Sequence, residues 1–377
     1  MPTRINVLFP LPLRDQGIGH TCLSIARTMR CSDLEFCLIT PKAFLPKVPA
    51  FVRPSAPFPL RALPYRWFRR YYASSCKRVF LNALPQADAV YLWSELPIEL
   101  SRALKNSRML VLREKFNCHK AAANRILEGA YHKLRWPRPM VISAGLIAKE
   151  REELGLADYI FAPSPSVRDS LVEEGVPEAK ILSSSYGWDP VRIRAGMQRL
   201  PRRDTPVFLF VGTACVRKGI PFLLQAWSRA KLSGTLVIAG AVDGEVGERC
   251  ADLLNLPNIR LLGHLREVST VYEQADVFVI PSLEEGSPLV IYEAMASGLP
   301  SLASRMGGGG VMRDGVDGLE VNPLHVDELA ERMRTLAHDV DLRVALGAAA
   351  RQRAMEFTWE LVGARRRALL RTTMSRG

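Results

Sequence analysis

What this chain of 377 residues lacks already narrows its class. No apolar run approaches the roughly 18 residues that a bilayer-crossing helix needs. The start, Met1 to Phe9, reads as a short strand, without the long apolar stretch and small-residue cleavage site of a signal peptide. The seven cysteines, at 22, 31, 37, 76, 118, 215 and 250, form no C-x-x-C pair. An odd, scattered set argues against a disulfide or zinc framework and suits reduced thiols in a cytosolic protein. No G-x-G-x-x-G with an acid about twenty residues further on is found in either half, which argues against a dinucleotide dehydrogenase. The only D-x-D, Asp339-Val340-Asp341, falls in a late helical region and reads as solvated. A transferase built around a metal-binding acid pair would need that pair at a strand end, so no metal site is implied. No repeat of solenoid length and no low-complexity segment is present.

What is present is positive charge, with a formal net of +13, and ample apolar residue, 48% of the chain. The charge calls for an anionic partner without choosing among nucleic acid, anionic lipid and phosphorylated substrates. The length is about twice that of a typical domain. In the second half, apolar strands at Val207–Val211, Thr235–Ala239, Ile259–Leu262, Val277–Ile280 and Pro300–Ala303 alternate with helical patterns, including Ile220–Arg229, Gly247–Leu254 and Glu267–Gln274. The first half repeats this less regularly, with strands at Ile5–Phe9, Phe36–Ile39, Ala89–Trp93, Met109–Arg113 and Tyr159–Ala162 and a helix over His20–Met29. Continuous apolar strands alternating with helices indicate parallel sheets covered on both faces. The expected architecture is α/β, with two doubly wound Rossmann-like domains facing across a cleft. The expected division is a first domain over 1–198, a basic, proline-punctuated linker over 199–206, a second domain over 207–357 and a final helix within 358–377.

The most informative segment runs from Pro281 to Pro300. The strand Val277–Ile280 leads into a polar loop and then a helix, with Ser287 expected at the N-cap and Pro288 at the first helical position. The opening of such a helix offers free backbone N–H groups and a partial positive charge to a phosphate. Glu285 lies just before the helix and Glu293 within it. Carboxylates beside an anion site make poor phosphate ligands and good acceptors for the hydroxyls of an attached sugar and ribose. An isolated E-x7-E is more readily a capped helix with two solvated glutamates, so its context decides.

That context resembles the retaining glycosyltransferases of family 4, which have the GT-B fold (glycosyl transferases group 1). In that family the first Glu of E-x7-E contacts the transferred sugar and the second the ribose. The resemblance gives those roles to Glu285 and Glu293, with the backbone of Ser287, Pro288 and Leu289 near the diphosphate and sugar. Gly212-Thr213-Ala214-Cys215-Val216-Arg217-Lys218-Gly219, at the end of the strand Val207–Val211, resembles the element that neutralises the nucleotide diphosphate. Lys218 matches its lysine. The family's frequent arginine after the first glycine is replaced by Thr213, and Arg217 supplies a cation from a shifted position. Gly17-Ile18-Gly19-His20 resembles the N-terminal glycine loop, which places Gly19 beside the diphosphate, while His20 reads as a helix-start residue. His119 matches a family histidine near the donor sugar and is the expected catalytic partner of Glu285; Glu114 and Asn117 are weaker candidates. The run Gly307–Gly310 precedes the turn Asp314-Gly315-Val316-Asp317-Gly318 but lacks the family's acidic residue, so donor contacts from that loop are not expected. The final stretch Glu360–Arg371 resembles a helix that often crosses back to the first domain.

The resemblance implies transfer of a sugar from a UDP- or GDP-linked donor, with ADP also open, to a hydroxyl of a glycan, a lipid-linked intermediate or a small molecule. The nucleotide-sugar is a substrate, and neither a cofactor nor a metal is implied. A nucleotide-sugar epimerase or hydrolase on the same fold is the alternative. A non-enzymatic, basic nucleic-acid-binding protein would leave both glutamates unexplained, so no nucleic acid is expected. The resemblance is thinnest between Lys42 and Asp88, where acceptor recognition usually resides. Within it, Arg61 to Arg78 has no acid and interleaves aromatics with cations. Such a segment can lie on an anionic membrane or form a helix with buried rings and snorkelling arginines. A cytoplasmic protein, with peripheral contact at the inner face of the membrane through this segment, is the expected setting.

Overall fold

The computed structural model describes residues 2–57, 63–93, 97–107, 109–139, 142–193, 205–265 and 267–374. The boundary expected at 199–206 lies outside the described residues except for Thr205 and Pro206, as do Arg61 and Ala62 of the basic segment.

The strands in chain order are β1 (Thr3–Leu8), β2 (Leu13–Arg14), β3 (Leu34–Thr40), β4 (Ala43–Phe44), β5 (Val52–Pro54), β6 (Ala89–Leu92), β7 (Leu110–Glu114), β8 (Tyr159–Ala162), β9 (Ile181–Ser183), β10 (Val207–Val211), β11 (Thr235–Ala239), β12 (Ile259–Gly263), β13 (Val277–Ile280), β14 (Ser301–Ala303) and β15 (Gly318–Glu320). Among the described residues they form a seven-stranded sheet ordered β5-β3-β1-β6-β7-β8-β9 and a six-stranded sheet ordered β12-β11-β10-β13-β14-β15, with β2 and β4 paired separately. All pairings in the two large sheets are parallel. The cause is visible in β10: all five of its side chains are buried, because helices cover both faces and leave no solvated side to favour alternation.

Each sheet reverses strand order once, between β1 and β6 in the first and between β10 and β13 in the second. Chain connections depart in opposite directions at such a point, which opens a crevice at the carboxyl ends of the strands. One expected helix proves to be two, Gly244–Arg249 and Ala251–Leu254, because Cys250 between them leaves helical geometry at φ −112°, ψ 17°.

Two helices join the halves. Helix Lys120–Leu134 belongs to the first half, yet its Ala130 and Tyr131 pack into the core of the second, and the Tyr131 hydroxyl donates to Glu245 Oε2 at 2.6 Å. Near the C-terminus the chain returns beside Trp188, whose backbone N–H donates to Phe357 O at 3.0 Å. Helix Trp359–Met374 then lies on helix Gly17–Thr28. The crossing is close because Gly363 has no side chain: a Cβ there would sit 2.5 Å from Thr28 Oγ1. Arg367 donates to the Thr28 carbonyl, and Arg371 pairs with Asp33 at 2.7 Å.

Helix Arg69–Ala83 buries Tyr72 and Phe80 and leaves Arg69, Arg70, Lys77 and Arg78 exposed. Just before it, Trp67 is 72% exposed and Phe68 37%. The segment therefore combines a packed helix with an exposed aromatic tip.

Candidate active site

The two switch points face one cleft of about 550 Å³. Its walls include Gly17, Ile18, His20, Phe116 and Asn117 from the first half and Arg217, Lys218, Glu285, Ser287, Leu289 and Glu293 from the second. Hollows of about 510 and 890 Å³ elsewhere are walled mainly by helix residues such as Phe222 and Arg229, or Glu331 and Arg334, and collect no strand ends.

The loop after β10 carries the cations. A short 3-10 turn, Val216–Lys218, ends at Gly219 with φ 72°. A Cβ on Gly219 would lie 2.0 Å from Pro281 O, so glycine is required both for its left-handed backbone and for contact with the neighbouring loop. This contact sets Lys218 against Glu285, with which it forms an ion pair. Arg217 Nη1 approaches Glu285 Oε2 at 3.4 Å and Glu284 Oε2 at 3.3 Å. Burial pulls the Arg217 pKa down, but the attraction of Glu285 and Glu284 outweighs it and leaves it raised.

The loop after β13 carries the acids. Ser282 Oγ donates to Glu285 Oε1 at 3.1 Å. Glu284 reaches across the cleft floor, its Oε1 accepting from the Cys118 backbone N–H at 3.1 Å. Burial raises the Glu284 pKa, opposed by Arg217. Gly286 lies directly against the first half: a Cβ there would be 1.7 Å from Phe116 O. The helix starts one residue later than expected, at Leu289, because Pro288 takes the N-cap position with an extended ψ of 127°. Ser287 makes no cap; its Oγ pairs with the Tyr292 hydroxyl at 2.7 Å. Glu293 faces the cleft and accepts from the Tyr272 hydroxyl at 2.9 Å. Burial raises its pKa, opposed by that bond and by the nearby Arg192.

Two expected positions are not brought to the cleft. His119 is 0% exposed and lies beneath the loop. Its Nδ1 accepts from Ala121 N at 3.2 Å, capping helix Lys120–Leu134, and Nε2 lies 3.5 Å from Glu150 Oε2. Burial lowers its pKa. Phe116 and Asn117 line the cleft in its place, because the Gly286 contact fixes which part of the loop reaches the surface. Gly19 supports packing instead: a Cβ there would be 2.5 Å from Arg14 O, and Gly17 and Ile18 line the cleft. Glu114, the weaker candidate, is a buried partner of Arg366 and Tyr91.

Three residues around the site carry little sequence signal. Glu284 is hidden beside a more informative acid. Tyr272 belongs to a short helical segment without a motif. Arg192 lines the cleft and sits 2.8 Å from His20 Nδ1 and 3.2 Å from the Asp15 carbonyl oxygen. Among the described residues, no group of three or more His, Cys, Asp and Glu side chains could hold a metal ion. Asp339 instead caps helix Val340–Ala354, accepting from Leu342 N at 2.8 Å.

Two doubly wound domains, joined so that their switch points share a cleft, define the GT-B class of fold. Solved structures agree over nearly the full chain. A sucrose-phosphate synthase from Thermosynechococcus elongatus superposes with a TM-score of 0.75 at 18% identity, covering 100% of both chains. HepE from Anabaena, in complex with UDP and glucose, does so with a TM-score of 0.68 at 16% identity, covering 98% of this chain and 100% of that one.

Residues 205–339 match the family model described as Glycosyl transferases group 1. Sulfoquinovosyl transferase SQD2 from Arabidopsis thaliana is 30% identical over 219 residues, covering 54% of this chain and 42% of that protein. A D-inositol 3-phosphate glycosyltransferase from Geodermatophilus obscurus is 30% identical over 277 residues, covering 60% and 59%. The chain spans about half the length of the curated relatives it matches.

Proposed function

We propose that this protein is a retaining glycosyltransferase that moves a sugar from a nucleoside-diphosphate donor to an acceptor hydroxyl without a protein-bound metal. The observation that carries this reading is the pairing of two loops at adjacent strand ends. One presents Lys218 and Arg217, and the other presents Glu285 beside them and leads into the helix that carries Glu293, all four lining the same cleft. The cations and the opening turn of helix Leu289–Ala296 suit the charge of a leaving diphosphate. Arg217 offers a planar fork and Lys218 a compact charge. Glu293, half-buried at the cleft wall, suits the ribose hydroxyls. Glu285, beside the cations, suits a hydroxyl of the sugar. The acceptor attacks on the face from which the diphosphate leaves, and the narrow cleft keeps water from the reacting carbon.

Relatives support this donor class. HepE has been solved with UDP-glucose. A relative from Campylobacter jejuni, 26% identical over 161 residues, is an N,N'-diacetylbacillosaminyl-diphospho-undecaprenol alpha-1,3-N-acetylgalactosaminyltransferase. A glycan or lipid-linked acceptor fits that company. Among the described residues no helix is long and apolar enough to cross a membrane. We propose peripheral contact with anionic lipid at the inner membrane face through the exposed Trp67, Phe68, Arg69 and Arg70. Flotation with vesicles containing phosphatidylglycerol tests this contact, and no binding at low salt removes it.

The function itself is tested by thermal stability with UDP, GDP and ADP in chelator. Ligand at a hundred times its dissociation constant adds about 2.7 kcal/mol. A shift with one nucleotide that is lost in Glu293→Ala supports the reading and identifies the base. No shift with any of the three overturns it. Donor turnover without acceptor points instead to a hydrolase or epimerase.

A further inference from the structure

The cation loop and the acid loop hold two positive and two negative groups in direct contact. Lys218 is paired with Glu285, and Arg217 lies between Glu285 and Glu284. Both cations are thus matched before any ligand arrives, and a diphosphate entering this site meets little net charge.

The two carboxylates are held differently. Glu284 is 3% exposed, and its Oε1 accepts from the Cys118 backbone N–H in the other half of the protein. If it left, it would strand a buried donor, at the full desolvation penalty of that group. Glu285 lines the cleft and is held only by side-chain groups: the Lys218 ammonium, the Arg217 guanidinium and the Ser282 hydroxyl. Its release strands no backbone group, provided that another anion takes its place on Lys218.

We propose that Glu285 is an internal competitor for the donor diphosphate. This inference rests on the nucleotide-sugar reading above. The diphosphate replaces the Glu285 carboxylate on Lys218 and on the open side of Arg217, while Glu284 keeps Arg217 in place. Glu285 then turns to the sugar hydroxyls. The exchange never leaves Lys218 as an unpaired, largely buried cation, whose lost hydration nothing would then offset. It also makes diphosphate release easier after transfer, because the carboxylate returns to the ammonium as the product leaves.

The test is calorimetric titration of wild type and Glu285→Gln with UDP, GDP and ADP and with the matching nucleosides, in chelator. Glutamine keeps the side-chain length and the acceptor for Ser282 and removes the charge. The nucleoside diphosphate that binds wild type should bind Glu285→Gln about tenfold tighter, the scale of one charge-assisted contact, with nucleoside affinity unchanged. Glu285→Ser, smaller and also uncharged, should shift affinity in the same direction if the glutamine variant folds poorly. Equal or weaker diphosphate affinity in a folded variant overturns the inference and leaves the nucleotide-sugar reading standing. Absence of nucleotide binding to wild type removes both.

Discussion

Arg366 and Glu114 meet in the interior, with guanidinium Nη1 2.9 Å from Glu114 Oε2 and Nη2 3.1 Å from Oε1. Both side chains are essentially without solvent contact, at 1% and 0% exposure. Tyr91 also donates to the carboxylate, and the guanidinium donates to Ser184 Oγ at 2.8 Å. This network fastens the last helix of the chain to the end of β7. It also fixes the start of the loop that carries Phe116, Asn117 and Cys118 to the cleft. Removing one partner leaves the other as an uncompensated buried charge, which costs about 3–5 kcal/mol. Arg366→Ala and Glu114→Ala should each lower unfolding stability by that amount in urea titrations. The double variant should lose clearly less than the sum, because neither charge then remains unmatched.

Glu293 gives the site a pH signature of definite sign. Burial holds its folded pKa above the ordinary glutamate value of 4.5. Between the two pKa values the folded state keeps a proton that the unfolded chain has lost, so stability falls as pH rises through that window. Its contribution is fully present below the unfolded pKa and gone above the folded one. Glu293→Gln lacks this slope. Its stability relative to wild type should therefore rise with pH from about 4.5 upward and then level off, as read from urea midpoints across pH. Nucleotide affinity of wild type should weaken on acidification through the same window, because the protonated carboxyl has lost acceptor capacity for ribose.

The same distinction between local and long-range causes separates what the sequence reveals from what it hides. Val207–Val211 is five apolar residues whatever surrounds it, and only a sheet covered on both faces accommodates that run. That Glu285 and Glu293 line one cleft is legible because their spacing, the preceding strand and the cation loop coincide. The Arg366–Glu114 pair was not legible, since 252 positions separate its members and neither belongs to a local pattern. The His119 expectation failed for a related reason. A loop of Lys-Phe-Asn-Cys-His can present any of its residues to the cleft, and the selection is made by Gly286 pressing on Phe116 from the other half. The helix start moved from Pro288 to Leu289 because the proline keeps an extended ψ, which composition alone does not reveal.

His119 accordingly has a structural signature. With Nδ1 capping helix Lys120–Leu134 and the ring fully buried, His119→Ala removes a cap worth about 1 kcal/mol and leaves a cavity. His119→Asn restores an acceptor near the capped N–H. Thermal unfolding should show a clear loss for alanine and partial recovery for asparagine. Nucleoside-diphosphate affinity, measured well below the melting temperature, should stay within about twofold of wild type in the asparagine variant, since the site's own contacts are untouched. A tenfold affinity loss in that variant would return His119 to the binding machinery.

Gly286 tests whether the shape of the cleft depends on contact between the halves. Its backbone needs no left-handed conformation, and its requirement is space: a Cβ would lie 1.7 Å from Phe116 O and 2.5 Å from Phe116 C. Neither obstacle is a flexible side-chain end, so Gly286→Ala must push the acid loop and the Phe116–Cys118 loop apart. Separation lengthens the Glu284 to Cys118 N–H bond, now 3.1 Å, and carries Glu285 away from Lys218. Each half keeps its own sheet and core, so the variant should still fold, with stability lowered by about 1–3 kcal/mol from the overpacked contact. Transfer activity, which needs groups from both halves in register, should fall at least a hundredfold, the scale of a misplacement of about 1 Å. Nucleoside affinity should change little by comparison, because Glu293 and the β12 side of the cleft lie wholly in the second half. If transfer and nucleoside affinity fell in parallel, the glycine would be acting on the second half alone, and the contact with Phe116 would not be what positions the reacting groups.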